Sequence, residues 1–211
     1  MKIEYFGHSC FRLTSLKGTS VVTDPYCKVG YELPEGLDGD IVTVSHGHFD
    51  HNHTQAVACS KIVSDLGPHV ISDVKISGVK TYHDPRQGAL RGENTVYKIE
   101  MDGLTVCHFG DLGEPFCEDT AKKLTGADVW LIPIGGTYTI DAKQAIEYIE
   151  RLAPKAVIPM HYRPNDGALN IASSEEFLNE ISFKAIVSGH KTEINKEDLK
   201  AGETKVYYME R

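Results

Sequence analysis

The segment that most constrains this chain is Ser45-His46-Gly47-His48-Phe49-Asp50-His51, which directly follows the apolar run Ile41–Val44. A short, wholly apolar run bounded by turn residues reads as a buried strand. It delivers four side chains able to bind metal to one turn. His46 and His48 are two apart, so on a still-extended chain they point the same way. Imidazole is the commonest metal-binding side chain near neutral pH. Gly47 between them tolerates unusual backbone angles. Asp50 and His51 are adjacent and cannot share one direction, so they suit a second ion beside the first. The fold must therefore hold this turn rigidly and bring further ligands to it from elsewhere.

The rest of the chain reads as strands first, then strands alternating with helices. Met1–Phe6, Cys10–Leu16, Thr19–Thr23, Val74–Tyr82, Thr95–Glu100 and Leu104–Phe109 are strand candidates. Asp102-Gly103 is a strong hairpin turn between the last two. Val129–Pro133, Ala156–Met160 and Lys184–Val187 are short apolar strands, and Lys205–Met209 closes the chain as another. Ala142, Ala145, Ile146, Ile149 and Leu152 form an apolar stripe at helical spacing over Asp141–Leu152. Asp141 and Gln144 have the spacing of a capping box, and Pro154 stops the helix. Ser174–Ile181 and Glu118–Thr125 are two further helices. No linker or tandem repeat interrupts the 211 residues, so residues 1–211 read as a single domain. The order of elements predicts an α/β fold of two sheets packed face to face with helices outside.

Composition removes several functions. Net charge is -8 with no block of Lys or Arg, which argues against nucleic acid as a partner. No apolar run reaches the roughly 18 residues of a membrane helix. No secretory h-region follows Met1, so the expected location is cytoplasmic and no membrane partner is expected. The five cysteines, Cys10, Cys27, Cys59, Cys107 and Cys117, form no Cys-x-x-Cys pair and read as reduced thiols. The informative excess is ten histidines.

The His-x-His-x-Asp-His segment resembles the metallo-β-lactamase superfamily, and later family stations occur in order. They are His83 in Thr81-Tyr82-His83-Asp84, Asp111 in His108-Phe109-Gly110-Asp111, and His161 in Ile158-Pro159-Met160-His161-Tyr162. Gly7-His8-Ser9, Ile134–Asp141 and Pro159–Tyr162 are closest to a small stand-alone branch of metal-dependent hydrolases similar to the L-ascorbate-6-phosphate lactonase group. The resemblance implies a four-layer αβ/βα sandwich and a binuclear centre. His46, His48 and His83 would hold one metal, Asp50, His51 and His161 the other, and Asp111 would bridge them. Asp50, Asp111 and His161 would then be the catalytic residues.

Such a centre needs two divalent ions, zinc by preference and manganese or iron as alternatives. A hydroxide held between them would attack an ester-like bond, in a lactone or a phosphoester. Two ions against two carboxylates leave a positive site, so the expected partner is a small, anionic molecule. The alternatives are an iron-dependent redox enzyme of the same fold and a non-catalytic metal-binding protein.

His108 competes with His83 as a ligand. It stands at opposite strand parity to Asp111, which favours His83 and leaves His108 as a supporting or core residue. His8 could reach the pocket. Asp24, at a strand end before Pro25, suits a carboxylate that orients a ligand histidine. Tyr138 and Tyr162 could position substrate or donate a proton. Of Arg86, Arg91 and Arg163, the last follows His161 by two residues and is the leading candidate to bind substrate.

Overall fold

The computed structural model describes residues 1–211. Its strands are β1 Lys2–Gly7, β2 Cys10–Thr14, β3 Ser20–Thr23, β4 Ile41–Thr43, β5 Lys61–Val63, β6 His69–Ile71, β7 Val74–Tyr82, β8 Glu93–Met101, β9 Leu104–His108, β10 Val129–Pro133, β11 Ala156–Met160, β12 Ala185–Val187, β13 Lys191–Glu193 and β14 Lys205–Tyr208. Three helices follow the same order, α1 Glu118–Leu124, α2 Ala142–Leu152 and α3 Glu175–Glu180. One sheet runs β13-β1-β2-β3-β4-β5 and the other β12-β14-β11-β10-β9-β8-β7-β6. This is the two-sheet α/β sandwich the element order predicts.

Alternation sets what each face buries. In the first sheet Phe11, Leu13, Val21 and Ile41 belong to the main core, which also holds Trp130 and Ile158. Their neighbours Cys10, Val22 and Val42 point the other way, onto Tyr26, Val29, Leu37 and Val57. The outer cover of this sheet is thus the loop after β3 and Val57, just past the short 3₁₀ turn Thr54–Ala56, with no α-helix among these packed residues. All three α-helices follow β9 in the chain. In α2, Ala145, Ile146, Tyr148 and Ile149 are buried. The capping box is present at Asp141 and Gln144, and Ala153 closes the helix in a left-handed conformation before Pro154. Asp102 and Gly103 both take positive φ, as a two-residue hairpin turn of this hand requires.

Three short strands lie outside the sequence expectations: β5, β6 and β13. Each has three residues, and each is the last strand of its sheet or pairs only at an edge. Backbone pairing to a neighbour makes them strands, since their side chains are largely exposed and carry no buried apolar pattern.

Strand direction positions the site. β1 and β3 are each antiparallel to β2, and β4 runs parallel to β3. In the other sheet β7 and β9 are each antiparallel to β8, and β9, β10 and β11 are parallel. The carboxyl ends of β1, β3 and β4 therefore share one edge of their sheet, as do those of β7, β9, β10 and β11 in theirs. His8, Asp24, Ser45–His51, His83, Asp111 and His161 all follow those ends.

The crossing is tight. Gly135, after β10, approaches His161 so closely that an added Cβ would lie 2.1 Å from the His161 carbonyl oxygen. The chain at His161 has nowhere to retreat, because its N–H donates to the His8 carbonyl at 2.8 Å. Gly135→Ala should destabilise the protein by about 2 kcal/mol or more, read from the midpoint of urea unfolding. An unchanged midpoint would show that this edge can relax.

Candidate metal centre

Asp111 sits at the middle of the site. Its position comes from a turn that only glycine fits. Gly110 takes φ +53, and an added Cβ would lie 2.5 Å from both Asn94 Oδ1 and Ser45 Cβ. Asn94 Oδ1 accepts from the Asp111 N–H at 2.9 Å, while its amide donates to Phe109 O and Thr81 Oγ1, each at 2.9 Å. Asn94 is thus the residue that fixes Asp111, and no sequence motif marks it.

The two oxygens of Asp111 face different histidines. Oδ2 lies 3.2 Å from His83 Nε2 and 3.9 Å from His46 Nε2. Oδ1 lies 3.0 Å from His51 Nε2 and 3.2 Å from His161 Nε2. His46 Nε2 and His48 Nδ1 are 3.0 Å apart. Candidate ligand atoms of His46, His48 and His83 fall within 4.8 Å of one another, as do those of His8, Asp50, His51 and His161, and those of His46, His51 and Asp111. The structure brings together every one of the seven residues carried over from the resemblance.

His8 joins them. Its Nε2 lies 3.2 Å from His51 Nε2 and 3.3 Å from Asp50 Oδ2. It reaches this place because His8 itself takes φ +53 at the end of β1. His108 does not join. Its Nε2 donates to the Ser9 carbonyl at 2.8 Å, and the whole side chain is buried. Between the two candidates, geometry brings His83 to Asp111.

The supporting contacts fix ring orientation. Asp24 Oδ2 accepts from His51 Nδ1 at 2.8 Å, which turns His51 Nε2 toward Asp111. The same carboxylate accepts from the Ser45 N–H at 2.8 Å and from its hydroxyl. The Tyr138 carbonyl accepts from His83 Nδ1 at 3.0 Å and turns His83 likewise.

Electrostatics follow from burial. Burial disfavours charge on His8 and on His46 and pushes each down to about 3, with nearby histidines adding to it. Their ring nitrogens are thus free to donate lone pairs. Burial also pushes down His51, but Asp111 and Asp24 outweigh it and raise His51 well above the usual range. Burial raises the Asp111 carboxyl, yet His161 and His51 overcome it and hold it well below the carboxylate range. Asp50 is likewise held low, burial being outweighed by His8 and His51.

The donors fit a metal. Asp111 Oδ1 and both ring nitrogens of His161 are buried with no hydrogen bond of acceptable geometry. Buried, unpartnered polar atoms are costly, and a cation would satisfy this set of nitrogen and oxygen donors.

A cavity of about 290 Å³ opens over the group and is lined in part by His48, Asp50, His83, Asp111 and Tyr138. Two expected substrate residues lie elsewhere. The Tyr162 hydroxyl donates to the Met209 carbonyl at 2.7 Å, and Tyr162 and Arg163 line a separate cavity of about 500 Å³. The chain turns at His161, which takes φ +53, and Arg163 is not among the residues lining the cavity over Asp111. Arg91, not Arg163, lines the cavity over the metal-site groups.

Fold and site together define a metal-dependent hydrolase of the metallo-β-lactamase type. Residues 2–161 match the model of the β-lactamase superfamily domain, and the chain belongs to that superfamily. A metal-dependent hydrolase of Thermoplasma acidophilum is 30% identical over 193 residues, covering 79% of this chain and 85% of that one. Another from Thermococcus onnurineus is 29% identical, covering 89% and 95%. A Thermotoga maritima protein of the metallo-β-lactamase superfamily, proposed to be a Zn-dependent hydrolase, superposes with a TM-score of 0.79 at 33% identity, covering 99% of each chain. No helix of the chain is long and apolar enough to cross a membrane.

Two outcomes follow for metal loading. Asp111 and Asp24 favour the protonated form of His51 in the metal-free protein, and a metal ligand must lose that proton. Affinity should therefore rise with pH. Asp24→Asn should weaken zinc affinity about 10- to 100-fold by loosening His51. Zinc titrations of both proteins at pH 6 and pH 8 check this; pH-independent affinity, or an unchanged variant, would contradict it.

Proposed function

We propose that the protein is a binuclear hydrolase acting on a small, anionic ester-like substrate, a lactone or a phosphoester. The observation that carries this reading is the division of Asp111. Its Oδ2 faces His83 and His46, and its Oδ1 faces His51 and His161. A single carboxylate with one oxygen in each of two donor sets suits two ions held side by side. His46, His48 and His83 would hold one ion. Asp50, His51 and His161 would hold the other, with His8 packed against them. Nitrogen and oxygen donors of this kind favour zinc, which agrees with the Thermotoga maritima relative, while manganese and iron are alternatives.

When bound, such a pair of ions supplies a hydroxide nucleophile at neutral pH and Lewis-acid stabilisation of developing negative charge. The chain's own groups do the rest. Asp50 lies on the cavity wall and is held ionised, so a carboxylate oxygen can accept a hydrogen bond from a water there and orient it. Asp24 and the Tyr138 carbonyl hold His51 and His83 in register through the reaction. Two divalent ions outweigh the charge of Asp50 and Asp111, so the centre attracts an anionic substrate although the whole chain carries -8.

The test is a screen of lactones and phosphoesters with the metal-loaded protein and with Asp50→Ala. The variant should lose about 1,000-fold or more of the turnover while keeping the wild-type circular dichroism. A fully active variant would end the proposal.

A further inference from the structure

The cavity over the metal-site groups has two chemically distinct parts. Four of those groups line one part, and the remainder is Phe49, Arg91, Tyr138 and Leu169. Arg91 is the only lysine or arginine among the lining residues. Its guanidinium forms no ion pair within the chain, whereas Arg12, Arg151 and Arg211 each hold a carboxylate. It lies instead over the Tyr138 ring, with its central carbon 5.6 Å from the ring centroid. A half-buried arginine that stacks on an aromatic face keeps its N–H groups free for a ligand.

Both halves of this pair are built rather than incidental. The Asp84 carboxylate is fully buried and accepts from the backbone N–H groups of Arg86, Gly88, Leu90 and Arg91, at 2.7 to 3.2 Å. The loop carrying Arg91 is therefore wound around one fixed anion. Tyr138 is presented by a turn in which Gly136 and Thr137 both take positive φ. Its carbonyl is the group that accepts from His83 Nδ1. The aromatic platform under Arg91 and the orientation of a metal-site histidine thus depend on one residue. Phe49 is 52% exposed, a large apolar side chain at the cavity within the histidine-rich turn itself. With Leu169 it supplies apolar surface beside the cation.

We propose that Arg91 is the anion receptor of the active site. It would take a carboxylate or phosphate substituent of a compact substrate whose ester-like bond lies at the metal-site groups. Tyr138, Phe49 and Leu169 would pack on the carbon skeleton between those two ends. The inference rests on the hydrolytic reading for where the bond lies, but not for the binding of an anion by Arg91. The shared chemistry is a face of two anionic oxygens matched to the guanidinium fork. A cavity of about 290 Å³ restricts the substrate to metabolite size.

Binding can be tested without turnover. Zinc-loaded wild-type protein, Arg91→Ala and Arg91→Lys are titrated calorimetrically with ethylphosphonate, 3-phosphonopropanoate and ethane-1,2-diphosphonate. One phosphonate end engages the metal site in all three ligands; the second anion, carboxylate or phosphonate, is present only in the last two. In the wild type the second anion should tighten Kd about 10- to 100-fold. Arg91→Ala should abolish that gain, and Arg91→Lys should keep part of it. The arm with the larger gain identifies the carboxylate or the phosphate as the natural group. A gain that survives in Arg91→Ala, or no gain in the wild type, overturns the proposal. A full gain in a protein that hydrolyses neither lactones nor phosphoesters overturns the hydrolytic reading alone.

Discussion

A buried carboxylate needs polar or charged partners, and the active edge of this protein is arranged around that need at Asp111. Moving an ionised carboxyl out of water is expensive unless charge or hydrogen bonds compensate. Here the compensation comes from imidazoles converging from three strand ends, together with a turn held by Asn94. Remove the carboxylate, and His46, His51, His83 and His161 face one another without a common anion. The requirement also explains the glycines at this edge. Gly110 brings Asp111 against Asn94 and Ser45, and Gly135 lets the chain pass His161.

The fold supplies convergence through strand direction. Like-directed strands in each sheet end at the same edge, and every residue of the candidate centre follows one of those ends. Buried acids brace the loops there. Asp24 ties the turn at Ser45 to His51, and Asp84 winds the loop that carries Arg91. Rigidity of this kind matters for a metal site, because ligand rings must be oriented before a cation arrives. It matters equally for an arginine that has to wait, unpaired, for an anion.

The candidate ligands were legible in two ways: His46, His48, Asp50 and His51 as a dense run directly after an apolar strand, and His83, Asp111 and His161 only through the resemblance to the metallo-β-lactamase superfamily. The sandwich was legible too, from the order of the elements, strands first and then strands alternating with helices, and from the apolar runs β4, β10 and β11. The capping box of α2 needed only Asp141 and Gln144. Less could be read where the determinant is distant in sequence. Asn94 lies 17 residues from Asp111, and its role exists only because β8 and β9 pair beside that turn. Arg163 looked closer to the chemistry than Arg91, because proximity in sequence to His161 stood in for proximity in space. The left-handed turn at His161 breaks that equivalence. The edge strands β5, β6 and β13 were unreadable for another reason, since pairing rather than side-chain burial makes them strands.

In the proposed centre Asp111 joins two ion-binding sets. That arrangement is tested most directly by metal stoichiometry, measured by elemental analysis of protein titrated with zinc and then freed of excess. Saturation at two ions per chain is the expected result, falling with Asp111→Ala, which removes the proposed shared ligand. Saturation of the wild type at one ion would contradict it.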